Sequence, residues 1–226
     1  MVNSVEVAMY VGLKMLKDFV TVTPKTPVAK VQDLLEKQAL GMLLVTEGDK
    51  AVGYVRKADV SAALPSVMST LEKHEALYLL SRLTVDKIMH RDIVTVHPEM
   101  EIEAAAEMMY QKKLSGLAVV DSTGKLVGYI NRTVMLDFLI EEMGFRQGGS
   151  RIFFEVEDKR GVLHAIAGVI KDKGVSIIST ATFPLGGKRQ LVIRLATDDP
   201  SEIIAELEAQ GYRMNTPETF SGEWIR

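Results

Sequence analysis

Arg56, Lys57 and Asp59 stand within four consecutive residues, directly after the apolar run AVGYV. A carboxylate accepts several hydrogen bonds, and a guanidinium offers a planar fork that fits phosphate oxygens. A later apolar run, LVGYI, leads into Asn131 and Arg132 without the acid. The plain structural alternative is that Asp59 caps a helix beginning here while Arg56 faces solvent. Other chemistries find little footing. The chain has no cysteine, so disulfides and thiolate chemistry are excluded. His74, His90, His97 and His164 lack the i, i+4 spacing of helical metal ligands and read as surface or packing residues; no metal is expected. No P-loop, dinucleotide, nucleophile-elbow or metal signature stands out. Asp18 and Asp92 occupy repeated positions, which alone does not make a catalytic pair. The twelve methionines lie along predicted core faces and are assigned to packing.

These residues sit in a duplicated scaffold. VGLKMLKDFVTVTP, residues 11–24, returns as VDKIMHRDIVTVHP, residues 85–98, with Val11/Val85, Met15/Met89, Thr21/Thr95 and Pro24/Pro98 among the identical pairs. After each copy an apolar helical face follows, Val28, Val31, Leu34 and Leu35 in one and Ile102, Ala105, Met108 and Met109 in the other. Two short apolar runs come next, GMLLV and AVGYV, then GLAVV and LVGYI. Aligning Gly41 with Gly116 and Gly53 with Gly128 changes the offset from 74 to 75, which places one inserted residue around the helix. A second helix closes each unit near Lys57–Leu64 and Thr133–Met143. Each unit therefore reads strand, helix, strand, strand, helix, with central strands apolar on both faces. One such unit is marginal alone, and two can bury their sheets about a pseudo-twofold axis.

The V-x-x-x-M element, the VTV-x-P strand start and G-x-x-VVD-x-x-G-x-x-x-G resemble a cystathionine-β-synthase (CBS) domain, present twice as a Bateman module. The helical connection SVMSTLEKHEALYLLSRL resembles that of the acetoin-utilisation CBS proteins. The resemblance implies adenosine-nucleotide or S-adenosylmethionine binding, with ribose gripped at G-h-x-[ST]-x-x-D and adenine met by backbone of an earlier strand. Carried onto this chain, the candidates are Thr21, Met42, Leu43, Arg56, Lys57 and Asp59 in the first repeat. In the second they are Thr95, Leu117, Ala118, Asn131 and Arg132. Both repeats depart from the motif. Arg56 replaces the hydroxyl residue in the first, and the second has Asn131 in that place and Val134 in place of the acid.

The last third reads as a separate domain. RIFFEVED is a strand, VLHAIAGVIKDKG a helix ended by Gly174, VSIISTATF and KRQLVIRLAT two strands joined by a Gly186-Gly187 hairpin. Asp199 and Pro200 begin another helix, and YRMN makes a last strand. This βαββαβ order is ferredoxin-like. With DKRGVL and GVSI it resembles an ACT domain, which implies an amino-acid site at Asp158, Gly161, Val162, Leu163 and Ser176. Ser176 stands where the family often has Asn.

The expected organisation is repeat 1 over residues 1–66, a helical connection over 67–84 and repeat 2 over 85–144. A small polar linker at 145–150, an ACT domain at 151–216 and a tail at 217–226 follow. With 226 residues, 47% of them hydrophobic, and a net charge of −3, the chain has ordinary globular composition and no basic face for nucleic acid. It shows no membrane-length apolar run and no targeting segment, so it reads as cytoplasmic. The expected function is non-catalytic regulation: a homodimer senses a small-molecule effector and passes its occupancy to a regulated protein. The alternative is a scaffold or interaction protein with degenerate ligand sites.

Overall fold

The computed structural model describes residues 9–63, 82–185 and 188–215. Most of the expected connection at 67–84, the Gly186-Gly187 turn and the tail at 217–226 lie outside them. The chain divides into two compact units, Met1–Leu136 and Asp137–Arg226.

The first unit holds α1 (Val11–Lys14), β1 (Thr21–Val22), α2 (Val28–Lys37), β2 (Met42–Glu47), β3 (Lys50–Arg56) and α3 (Lys57–Ala63). The second copy follows with a 3-10 turn (Val85–Lys87), β4 (Thr95–Val96), α4 (Ile102–Gln111), β5 (Gly116–Val120), β6 (Leu126–Asn131) and α5 (Arg132–Glu142). Each copy forms a three-stranded sheet, β1-β2-β3 or β4-β5-β6, with a parallel first pair and an antiparallel second. Central β2 is buried from Met42 to Thr46 and β5 along its whole length, as the continuous apolar runs require.

The register relocates the inserted residue. Val45 pairs with Gly53 and Val119 with Gly128, so the offset of 74 persists through the helices and the central strands. The extra residue lies in the β5–β6 turn, where Asp121 closes its loop on Thr123 and Lys125. Gly41 therefore corresponds to Ser115, whose Cβ and Oγ fill the space beside it, and Met42 corresponds to Gly116 rather than Leu117. The mismatch arose because two glycines aligned by identity, whereas strand register follows the hydrogen-bond ladder.

The duplicated V-x-x-x-M segments explain themselves here, because each docks on the opposite repeat. Val11 N–H donates to Met100 O and Gly12 N–H to Pro98 O; Val85 N–H donates to Thr26 O and Asp86 N–H to Pro24 O. Leu16 exchanges two backbone hydrogen bonds with Tyr129, and His90 exchanges two with Tyr54. Val85 is fully buried in the core of the first repeat with Val28, Val31, Leu35, Val45 and Val55. The motif is a reciprocal clasp, and it holds the two marginal repeats together.

The second unit carries β7 (Ser150–Val156), α6 (Val162–Asp172), β8 (Ile177–Leu185), β9 (Lys188–Leu195), α7 (Ser201–Ala209) and β10 (Arg213–Met214). Its antiparallel sheet runs β10-β7-β9-β8. Ile152, Phe154 and Val156 alternate inward along β7 and pack with Ile166, Ile170, Leu191, Ile193 and Leu207. This is the ferredoxin-like βαββαβ arrangement expected from the sequence. The segment expected to be a linker is ordered by its own geometry: Phe145–Gln147 form a 3-10 turn and Ser150 already belongs to β7.

Candidate functional site

At the end of β3 the chain turns into α3, and three side chains converge there. Asp59 accepts the Arg56 backbone N–H at 2.9 Å, Arg56 Nε at 3.0 Å and Arg56 Nη2 at 2.8 Å. His90 Nε2 lies 3.0 Å from Asp59 Oδ2 and 2.9 Å from Arg56 Nη2. The His90 ring stacks on Tyr54, centroids 4.9 Å apart. Asp59 does serve the turn, as the bland reading expects, but Arg56 is paired with it rather than pointing freely to solvent. Burial pushes the Asp59 carboxyl up; hydrogen bonds from the Arg56 side chain and backbone and from His90 outweigh that and hold it at about 2. The same pairing raises the Arg56 guanidinium. Sequence reasoning missed His90, treating it as surface or packing. The signal was available, since His90 stands where the first copy of the clasp has Leu16.

At the pseudo-symmetric position the chemistry differs. A pocket of about 230 Å³ is lined by Leu40, Gly41, Ser115, Tyr129, Asn131 and Arg132 among others. Asn131 Oδ1 accepts the Val134 N–H at 3.0 Å, so the amide alone caps α5. Arg132 Nε donates to Leu114 O at 3.2 Å. Tyr129 lies across Gly116, where a Cβ would collide with its ring, and its hydroxyl is 3.5 Å from Met42 O. Burial pushes that phenol up to about 12.

The remaining candidates of the first unit divide by accessibility. Met42, Leu43, Leu117 and Ala118 have buried side chains, leaving only backbone to offer a ligand. Thr21 is half-buried and accepts from the Thr46 hydroxyl at 3.3 Å, while Thr95 is exposed. Lys57 is exposed, and its N–H is bound by Gly41 O.

In the second unit the candidates do not come together. Asp158 is clamped by Arg189, Nε to Oδ1 and Nη2 to Oδ2 both at 3.0 Å, so it pairs with β9 and does not cap α6. Gly161 (φ 89°) is the residue before α6, Val162 is half-buried against the core, and Leu163 is exposed. Ser176 lies at the other end of the sheet, where its carbonyl accepts the Ala196 N–H. Arg189 and Ala196 are seven residues apart along one strand and its extension, a separation of ~20 Å at strand rise. Within one copy of this chain, Ser176 and Asp158 are not parts of one site.

A CBS-domain family model matches residues 8–66 and 85–141, just over half of the chain. The chain belongs to the CBS-domain family. An ACT-domain model matches residues 150–211, so the CBS pair is followed by an ACT domain. Inosine-5′-monophosphate dehydrogenase of Thermoplasma acidophilum is 28% identical over 115 residues, 51% of this chain. The match spans only 20% of that enzyme. A protein assigned to acetoin utilization (AcuB) from Vibrio cholerae superposes with TM-score 0.52 and 20% identity, covering 63% of this chain and 98% of that one. The CBS-pair protein CBSX2 of Arabidopsis thaliana gives TM-score 0.50 and 23% identity, covering 63% and 99%. Both likenesses establish the fold. Among the described residues no helix is long and apolar enough to cross a membrane.

The ion pair of the first CBS repeat has a consequence for acid stability. Asp59 moves from an ordinary value of 3.8 to about 2 on folding, so its contribution is complete above about pH 4. It is lost as pH falls through about 2. With the Asp59 side chain 16% and Arg56 43% exposed, solvent screens the pair. A contribution of about 1–2 kcal/mol is expected, roughly half of it gone at pH 3. Urea unfolding of wild type and Asp59→Asn at pH 6 and pH 3 checks this: the gap between them should narrow at the lower pH.

Proposed function

We propose that the protein is a non-catalytic sensor in which the CBS pair binds an adenosine-containing metabolite, chiefly through the first repeat. The carrying observation is an internal comparison. The scaffold needs only a cap where the sheet turns into the helix, and in the second repeat Asn131 supplies it alone. At the corresponding place the first repeat has Arg56, Asp59 and His90 where the second has Asn131, Val134 and Leu16. Asp59 serves that turn in the first repeat, and the two polar groups beyond it, Arg56 and His90, are best explained by a ligand. An ionised carboxylate suits a ribose diol, and the neighbouring guanidinium suits a phosphate. The pocket at the second repeat is smaller than the ~300–1,000 Å³ usual for small-molecule sites.

Occupancy acts by favouring one of two arrangements of a homodimer, which requires the ligand to bind them unequally. The ACT domain adds an amino-acid input, and the chain acts on a regulated protein in the cytoplasm. A second reading, a scaffold with a degenerate site, draws support from one fact: both oxygens of Asp59 are already engaged by donors within the chain.

Native mass spectrometry of freshly purified protein reports both a retained ligand and a mass of twice 25.0 kDa. Calorimetric titration with AMP, ADP, ATP and S-adenosylmethionine then identifies a binder. Asp59→Ala is expected to weaken it by about 1–3 kcal/mol through loss of charged hydrogen bonds. No binding across the panel at millimolar concentration overturns the reading in favour of the scaffold.

A further inference from the structure

We infer that residues 216–226 dock on the face of the ACT sheet that turns away from its helices, with Phe220 and Trp224 set against Phe153 and Phe183. The segment is then a built-in cover, and a partner protein that uses this face has first to displace it.

The sheet has two unlike faces. Ile152, Phe154, Leu191 and Ile193 point toward α6 and α7. Alternation puts Phe153, Gln190, Val192, Ala181 and Phe183 on the other face. One half of that face is met by the chain on its way in, where Arg194 and Ser179 bond to Met143 O and Ile178 lies against Gly144. The other half carries an apolar ridge. Phe153 and Phe183 stand on the two strands flanking β9, ~10 Å apart in the sheet. Their ring centroids are only 6.2 Å apart, so the side chains lean toward each other across β9. On β9 itself Gln190 is 1% and Val192 2% exposed, although neither α6 nor α7 packs there. Phe183 is still 43% exposed, an aromatic ring at the rim of an apolar patch.

The chain leaves the sheet beside this ridge, already turned onto it. Asn215 N–H donates to Phe153 O at 2.7 Å, and Asn215 Nδ2 donates to Gln190 Oε1 at 2.8 Å. The edge ladder stops there. In the same register the next donor to β7 belongs to position 217, which is proline and has no N–H. The segment TPETFSGEWIR then supplies Phe220, Trp224 and Ile225. Asn215 and Phe183 are three strand spacings apart, ~14 Å, and the chain from Asn215 to Trp224 reaches up to ~30 Å. Charge also matches: Arg151 and Arg213 share the face with the ridge, and Glu218 and Glu223 flank the aromatic residues of the segment. Attachment at Asn215 gives the segment an effective concentration on the order of millimolar. A second copy or a separate protein has no such advantage.

Trp224 is the single tryptophan of the chain, so its fluorescence reads this segment alone. In the full chain its emission is expected at shorter wavelength than that of free tryptophan, with acrylamide quenching suppressed. Phe183→Ser should raise that quenching about three- to tenfold, as loss of one aromatic contact allows. Thr180→Ala, on the opposite face of the same strand, should leave it unchanged. Circular dichroism reports whether Phe183→Ser keeps the sheet. If it does not, Trp224→Ala gives the reciprocal reading: amide exchange at Asn215 should rise by a similar factor while the sheet stays folded. Solvent-like quenching of Trp224 in the wild type overturns the proposal, as does unchanged quenching in folded Phe183→Ser or unchanged exchange in Trp224→Ala. Refolding Phe183→Ser together with Trp224→Phe from urea identifies the copy that is covered. Trp224 should stay accessible in that mixture; recovered protection would place the segment on a second copy and overturn its assignment to its own chain.

Discussion

Gly53→Ala is expected to destabilise the CBS pair by about 3 kcal/mol, the upper part of the range for an overpacked core. A Cβ at this position would fall inside contact distance of the His90 carbonyl oxygen and of Met89 Cε. The first of these is backbone and cannot rotate away. That carbonyl also accepts the Tyr54 N–H at 2.9 Å, so pushing it outward breaks the clasp as well as the packing. Gly128→Ala supplies the matched control. There the new Cβ meets Sδ, Cγ and Cβ of Met15, side-chain atoms of a flexible thioether rather than a backbone carbonyl, and about 1–2 kcal/mol is expected. Thermal and urea unfolding of the two variants measures the difference. Because His90 also faces Asp59, Gly53→Ala should weaken the proposed nucleotide binding beyond its effect on stability, whereas Gly128→Ala should not. Equal losses in the two variants would show that the backbone clash is relieved by a movement the clasp tolerates.

Arg194→Ala is expected to loosen the chain just before the ACT sheet, raising amide exchange over residues 143–149 by about 10- to 30-fold, equivalent to about 2 kcal/mol of charged hydrogen bonding. Arg194 Nε donates to Met143 O at 3.1 Å, and Nη1 lies 3.0 Å from Gly148 O and 3.4 Å from Gly149 O. Its guanidinium carbon sits 5.5 Å above the Phe145 ring, and Ser179 Oγ donates to Met143 O at 2.9 Å. The three glycines of this segment suggest a slack tether in sequence. In the structure they have φ of 62°, 76° and 71°, and these turns bring successive carbonyls to one guanidinium. Arg194→Lys keeps the charge but not the fork, so it should recover only part of the protection. Wild-type exchange rates over 143–149 in Arg194→Ala would show that Ser179 and the β7 ladder hold the segment unaided. The result bears on function, because this stretch is the covalent route from the CBS repeats into the ACT domain.

Much of this molecule was written locally. Val28, Val31 and Leu35 at helical spacing, the continuous apolar run Met42–Val45 and the alternation Ile152, Phe154, Val156 each specify an element and its buried face. The duplication and the βαββαβ order of the last third followed from the same periodicities, as did the Arg56–Lys57–Asp59 cluster, whose members are near neighbours in the chain. What periodicity does not encode is which surface an element meets. The V-x-x-x-M copies look like the start of their own repeats, yet each is held by the other, because Gly53 and Gly128 leave open the places where Met89 and Met15 lie. His90 reaches Asp59 across 31 positions by that exchange; comparison of the two copies singles His90 out against Leu16, but its partner is set by the fold. Ser176 and Asp158 share a family signature but sit at opposite ends of an antiparallel sheet, since a helix returns the chain to the far edge before the next strand begins. The side-chain periods of 2 and 3.6 residues determine which face is buried; the tertiary structure, through register and the one small residue that admits a neighbour, decides what is buried against it.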